Sequence, residues 1–243
     1  MLAPTQTHSP KSYARLAGVL YLVIIVCGVG GQAFVREPIV ADTAAQTVDN
    51  LLAAETAFRV GILADVAMVL ADVALGVVLY VLLAPAGRTL SRLAMTMRLA
   101  QAAVLGLNLV HLQQALSFAH ASGLDAATRD VLVVSSLDAH AAGYDLGLFF
   151  FAVDCLLVGW LIYRSGFLPR MLGVGIVVSG GVYLVGSTLR FVAPDLAASF
   201  AVVYVVPLVA ELALSVWLLA GRLDVRRWMP RARPASAPAA ATG

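Results

Sequence analysis

Apolar residues fall in six long runs: Ala14 to Phe34, Phe58 to Leu83, Leu93 to Phe118, Leu146 to Tyr163, Met171 to Leu189 and Ser199 to Ala220. About 20 helical residues cross roughly 30 Å of hydrocarbon at about 1.5 Å each, so every run is close to a membrane span. The fourth reaches that length once Gly143 to Asp145 supply its first turn near the outer headgroups. The pattern predicts an all-α polytopic membrane protein with six transmembrane helices, because only helices and closed barrels satisfy their backbone in lipid. The first run is longer than a signal-peptide core and five spans follow it, so it reads as an uncleaved helix. Gly28 to Ala33 matches the dinucleotide pattern G-x-G-x-x-A by letter. No strand precedes it, and its glycines suit close helix packing or a bend instead.

Two breaks are long enough to hold structure. In Arg36 to Ala57, Asp42 or Thr43 is placed to cap a short helix whose apolar positions Ala45, Val48 and Leu52 recur at spacings of three and four. In Ala119 to Ala142, Gly123 is expected to end the third helix and Asp125 to cap another, with Val131 to Val134 as its apolar strip. These are two outer connections with short amphipathic helices. The chain then divides into an N-terminal segment 1–13, a six-helix domain 14–221 and a tail 222–243. The tail carries five arginines and three prolines and reads as disordered.

Composition narrows the function classes. Of 243 residues 61% are hydrophobic and 12% charged, against about 25% charged in a soluble domain. The net charge of +2 gives no basis for nucleic-acid binding. Both cysteines, Cys27 and Cys155, lie in predicted spans, which argues against a disulfide framework, a zinc finger or an iron–sulfur site. No cofactor is expected. Charge is segregated: twelve of the sixteen Lys and Arg lie at the termini and in the second-to-third and fourth-to-fifth turns, against only Arg36, Arg59, Arg129 and Arg190 on the other side. The positive-inside rule then makes both termini cytoplasmic. The expected setting is a bacterial inner membrane, with the bilayer as partner and anionic lipid headgroups drawn to the basic tail.

Gly143-Tyr144-Asp145 with Phe149-Phe150, followed by Gly159-Trp160-Leu161-Ile162 and Arg164-Ser165-Gly166-Phe167-Leu168-Pro169-Arg170 through Leu172-Gly173, resembles a bacterial integral membrane family catalogued as domain of unknown function 4386. The resemblance extends to Arg15-Leu16-Ala17-Gly18, Phe58-Arg59-Val60-Gly61 and the stretch from Glu211 to Leu219. It implies the topology and no chemistry. Many relatives carry His where this chain has Asp154, so the resemblance implies no imidazole mechanism there.

Five carboxylates fall inside predicted spans: Asp65, Asp72, Asp145, Asp154 and Glu211. A charge at the bilayer centre costs about 2.5–3.5 kcal/mol on insertion scales, so these groups should face the bundle interior, pair or take up a proton. By helical rise, Asp65 lies about 9 Å and Asp72 about 20 Å below Arg59, and the two aspartates, seven residues apart, share a face. Asp154 and Glu211 fall near mid-membrane, and Asp145 near the outer surface. On the third span Arg98, Gln101, Asn108 and His111 draw a polar stripe that Gln114 extends outward. Arg98 is expected to reach Asp72 or Asp154, while Arg59 and Arg190 are expected to reach Asp65 and Asp145.

The leading functional expectation is a polar cavity that binds or moves a small solute or proton. An intramembrane enzyme acting on a lipid or quinone, and an assembly protein whose polar core serves only packing, are the alternatives. His111, His120 and His140 with Asp145 offer weak metal chemistry, since H-E-x-x-H and H-x-x-x-H are absent and His111 and His120 point to opposite faces.

Overall fold

The computed structural model describes residues 9–232. Within them lie nine α-helices: α1 Pro10–Gly31, α2 Ala44–Ala53, α3 Glu55–Leu83, α4 Arg88–Ala119, α5 Ala126–Ser165, α6 Arg170–Val192, α7 Pro194–Phe200, α8 Val205–Leu219 and α9 Val225–Ala232. Six segments are long and apolar enough to cross a membrane: α1 with its π-helical extension to Arg36, α3, α4, α5, α6, and α8 with the turn before it. Each packs on the next, α1 on α3, α3 on α4, α4 on α5, α5 on α6, α6 on α8, and α8 closes back on α1. The result is an up-and-down ring of six spans. Large apolar side chains such as Leu63, Leu70, Leu107 and Met171 point outward along the spans, as lipid-facing surfaces require.

Two apolar clusters fill the ring at opposite ends. One joins Ile39, Val48 and Leu51 to Phe58, Leu112, Leu116 and Val133. The other joins Ala14, Ala17 and Tyr21 to Leu75, Leu79, Leu82, Phe151, Val158, Ile162, Leu214 and Leu218. On α3 and α4 the buried polar residues Asp65, Asp72, Arg98, Gln101 and Asn108 fall between the two.

The first long connection forms as expected, with the Thr43 hydroxyl accepting from the Gln46 amide at 3.3 Å to start α2. The second differs. Asp125 caps a helix as expected, accepting from the Thr128 amide at 3.0 Å, but that helix runs unbroken through the fourth span for 40 residues. No proline interrupts it, and Gly143 sits within it under tertiary constraint rather than at a break. At about 1.5 Å per residue α5 is roughly 60 Å long, twice the hydrocarbon thickness and more than one crossing needs, and α2 packs on it.

In the turn from Arg164 to Arg170, Ser165, Phe167 and Leu168 are buried. The Ser165 hydroxyl donates to the Ile162 carbonyl at 2.8 Å and accepts from the Phe167 and Leu168 amides. Gly166 takes the left-handed φ of 69° that ends α5, and Pro169 precedes α6. The tail was expected to be disordered from residue 222, yet Val225–Ala232 is helical. Asp224 caps it by accepting from the Arg226 and Arg227 amides, and Trp228 Nε1 donates to the Leu82 carbonyl at 2.9 Å. Residues 1–8 and 233–243 lie outside the described residues.

Candidate functional site

Arg98 is the most enclosed charged side chain of the bundle, 1% exposed. From α4 its Nε donates to Asp154 Oδ2 on α5 at 2.9 Å, and Nη2 lies 2.7 Å from the same oxygen without hydrogen-bond alignment. Its Nη1 donates to Asp72 Oδ1 on α3, and Gln101 Nε2, one turn along α4, donates to Asp72 Oδ2 at 3.1 Å. The Phe151 and Tyr21 rings flank the guanidinium at 4.9 and 5.6 Å, a cation–π setting that brings in α1. Four helices therefore meet on one cation. Arg98 reaches both of its expected partners, not one. Gly76 leaves space for the arginine stem, whose Cδ would stand 3.4 Å from a Cβ there.

Glu211, on α8, accepts from the Tyr183 hydroxyl of α6 at 2.7 Å. Tyr183 packs on Phe151 with ring centroids 5.1 Å apart, so Phe151 stands between the arginine and the second acidic site. Arg98 has both Asp154 and Glu211 within electrostatic reach. Two buried carboxylates thus contact one guanidinium, with a third within electrostatic reach. The cleft beside Arg98 and Asp154, lined by Gly76, Tyr80, Ser91 and Met95, is too narrow to admit a water molecule.

Toward the other end the groups change. Arg36, at the end of the π-helical turn, pairs with Asp65 Oδ2 and is held by Gln32 Oε1, which accepts from its Nε at 2.9 Å. Asn108 Nδ2 donates to the His140 carbonyl at 2.8 Å, and His140 Nδ1 lies 3.3 Å from the Asn108 carbonyl. A Cβ on Gly143 would overlap the Asn108 carboxamide, so this close approach requires glycine. The Tyr144 ring lies 6.3 Å from the His140 ring, and Tyr144 stands within electrostatic reach of Arg36, Asp65, Asp72 and Glu211. Asp145 accepts from Ser187 Oγ at 3.3 Å and lies 3.0 Å from Arg190 Nε. The Gly143-Tyr144-Asp145 motif therefore serves three separate contacts.

Two expected site residues are elsewhere. Arg59 does not reach Asp65; six residues along one helix turn them about 120° apart, and Arg59 pairs with Glu55 at 2.7 Å while half-exposed. Arg36 takes its place. His111 is only half-buried and bonds Gln114 at 3.0 Å, because the inward ridge of α4 runs from Asn108 through Leu112 to Ala115. His140 is the histidine of the core. Its signal was legible: His140, Gly147 and Asp154 recur every seven residues on one face of α5. Among the described residues no three His, Cys, Asp or Glu side chains converge as metal ligands.

A family model described as "Domain of unknown function (DUF4386)" matches residues 16–221. A protein of Archaeoglobus fulgidus described as "Uncharacterized protein" is 28% identical over 124 residues, which is 51% of this chain and 63% of that protein. The chain thus aligns with less than two thirds of the length of that relative. No solved structure matches.

Proposed function

The chain belongs to the family described as domain of unknown function DUF4386, and within that six-span membrane fold we propose that the acidic core binds and exchanges a proton. One observation carries the reading: Asp72 and Asp154 share a single buried guanidinium, with Glu211 close by. Desolvation disfavours uncompensated charge strongly, so a proton on one carboxyl is the simplest way to balance two acids against one base. A route for that proton is supported by three polar groups, Tyr183 with Glu211, Asp72 and Asp154 with Arg98 and Gln101, and Asn108 with His140, with Tyr144 in electrostatic reach of Asp65, Asp72 and Glu211. The unpartnered acceptors Gln101 Oε1 and Asp65 Oδ1 lie on it.

A solute site is less well supported, because the cleft at Arg98 has no open space. The membrane orientation in this reading has both termini cytoplasmic in a bacterial inner membrane, supported by the arginine-rich turns at that end. Potentiometric titration of the detergent-solubilised protein tests the proposal. Asp154→Asn should take up about one proton fewer than wild type across the neutral range, and Glu211→Gln should alter the same step. Superimposable titration curves for wild type and both variants would return the core to a packing role.

A further inference from the structure

At the end of the bundle that holds α1's start and α8's end, one lipid-facing groove has a built polar terminus. Leu212, Ala213, Val216 and Trp217 of α8, with Ala220 just beyond it, line an open groove of about 430 Å³ that ends at Arg222. Trp217 is fixed there, because its Nε1 donates to the Arg222 carbonyl at 2.7 Å and the Arg222 guanidinium lies over its ring at 5.6 Å. Gly221 turns the chain with a left-handed φ of 62°, and the Arg15 side chain of α1 packs over it, its Nε 3.1 Å from where a Cβ would stand. Two exposed guanidinia, one from α1 and one from the segment after α8, therefore flank one turn. Among the described residues neither has a carboxylate within ion-pair distance; the nearby Asp224 pairs with Arg227 at 3.2 Å.

We propose that this groove is a binding site for one anionic phospholipid, with an acyl chain along Ala213, Val216 and Ala220 and the phosphate held by Arg222 and Arg15. The chemistry of the walls separates by depth as that of a lipid does: small and apolar within the span, indole at the boundary, guanidinium beyond it. Ala213 and Ala220 open the groove, since larger residues at those positions would fill it. The forked guanidinium suits phosphate oxygens, and its aromatic neighbour limits the rotamer freedom lost on binding. A zwitterionic lipid would fit the apolar wall equally but leave the two cations without net compensation.

The test is native mass spectrometry of the purified full-length protein in mixed micelles holding equal amounts of dioleoyl phosphatidylglycerol and dioleoyl phosphatidylcholine. Wild type should retain one phosphatidylglycerol in preference to phosphatidylcholine. Arg222→Gln should weaken that retention about tenfold, the size of one charge-assisted contact, and Arg15→Gln should act in the same direction. Ala213→Trp should abolish retention of either lipid. Arg88→Gln/Arg92→Gln removes two exposed cations at the same end but away from the groove and should leave retention unchanged. Equal retention of the two lipids by wild type overturns the site, and so does equal loss in the Arg88/Arg92 variant, which would signify a diffuse basic surface. The wild-type comparison decides the matter even where a variant fails to fold.

Discussion

Arg98 and Arg36 are both paired to an aspartate of α3, yet they sit in different electrostatic settings. Arg36 meets Asp65 one to one near a connection, at 10% exposure. Arg98 is shared by Asp72 and Asp154 at 1% exposure and is enclosed by two aromatic rings. A one-to-one pair is electrostatically complete and can serve packing alone. The shared arginine leaves acid in excess where solvent cannot compensate it, and that imbalance separates a candidate proton site from an ordinary interhelical clamp.

The largest expected effect breaks the core directly. Arg98→Gln leaves Asp72 and Asp154 facing each other without a cation, and removing one partner of a buried pair costs about 3–5 kcal/mol. Thermal unfolding in detergent should show this as a large drop in Tm, and Arg36→Gln should show a smaller one. The combined variant Arg98→Met/Asp72→Leu/Asp154→Leu should recover much of the loss, since apolar replacement of a whole buried cluster is often neutral. A triple variant as unstable as Arg98→Gln would mean that the cluster's geometry, rather than its unpaired charge, holds the helices.

The next effect concerns the junction between the two regions. Gly143→Ala drives a methyl into the Asn108 carboxamide, and overpacking of this kind costs about 1–3 kcal/mol. Asn108→Ala in the same chain removes the clash, so the double variant should be more stable than additivity of the single variants requires. Purely additive losses in a thermal or denaturant series would show that the Gly143 and Asn108 positions are not in contact.

A third, smaller expectation separates surface pairs from both sites. Arg59→Ala removes an i,i+4 partner of Glu55 that is about half-exposed, and such pairs contribute about 0.3–0.5 kcal/mol. Its Tm should stay close to wild type. A drop comparable to that of Arg36→Gln would reassign Arg59 to the Asp65 site.

The spans were legible because hydrocarbon imposes a length and an apolar requirement that few sequences meet by accident. Arg98 with Asp72 and Asp154 was legible for the same reason: a charge in a span must find a partner, and depth counted along the helices leaves few choices. Arg59 was misassigned because depth alone was counted. Depth is a linear coordinate, whereas partner choice also depends on azimuth, and six residues turn a side chain about 120° away. Arg36 could not be foreseen as the partner of Asp65, because a π-helical turn at Gln32–Arg36 carries it inward and one local sequence does not announce that turn. The continuity of α5 escaped for a related reason. A polar stretch next to a span reads as a loop, although Asp125 through Ala142 contains nothing that breaks a helix. The helix in the tail depends on tertiary contact, with Leu223 buried and Trp228 bonded to Leu82, which composition does not record.

The smallest expected effect tests the exposed half of α5 against its membrane half. Asp125 caps the helix in solvent, and its bonds from Thr128, side chain first and backbone second, hold its carboxyl below the usual carboxylate range. A folded value below the unfolded value of about 3.9 means that the cap's contribution is fully present above that value and is lost as pH falls through the lower, folded one. Asp125→Ala should therefore speed amide hydrogen exchange in the first turns of α5 at neutral pH, while exchange near Asp154 stays slow. Asp125→Asn keeps a capping oxygen without the charge, so its exchange should fall between wild type and Asp125→Ala and lose its dependence on acid. Equal acceleration at both ends of α5 would mean that the helix opens as one unit, and that the Arg98 core is coupled to the solvent-exposed cap along all 40 residues of α5.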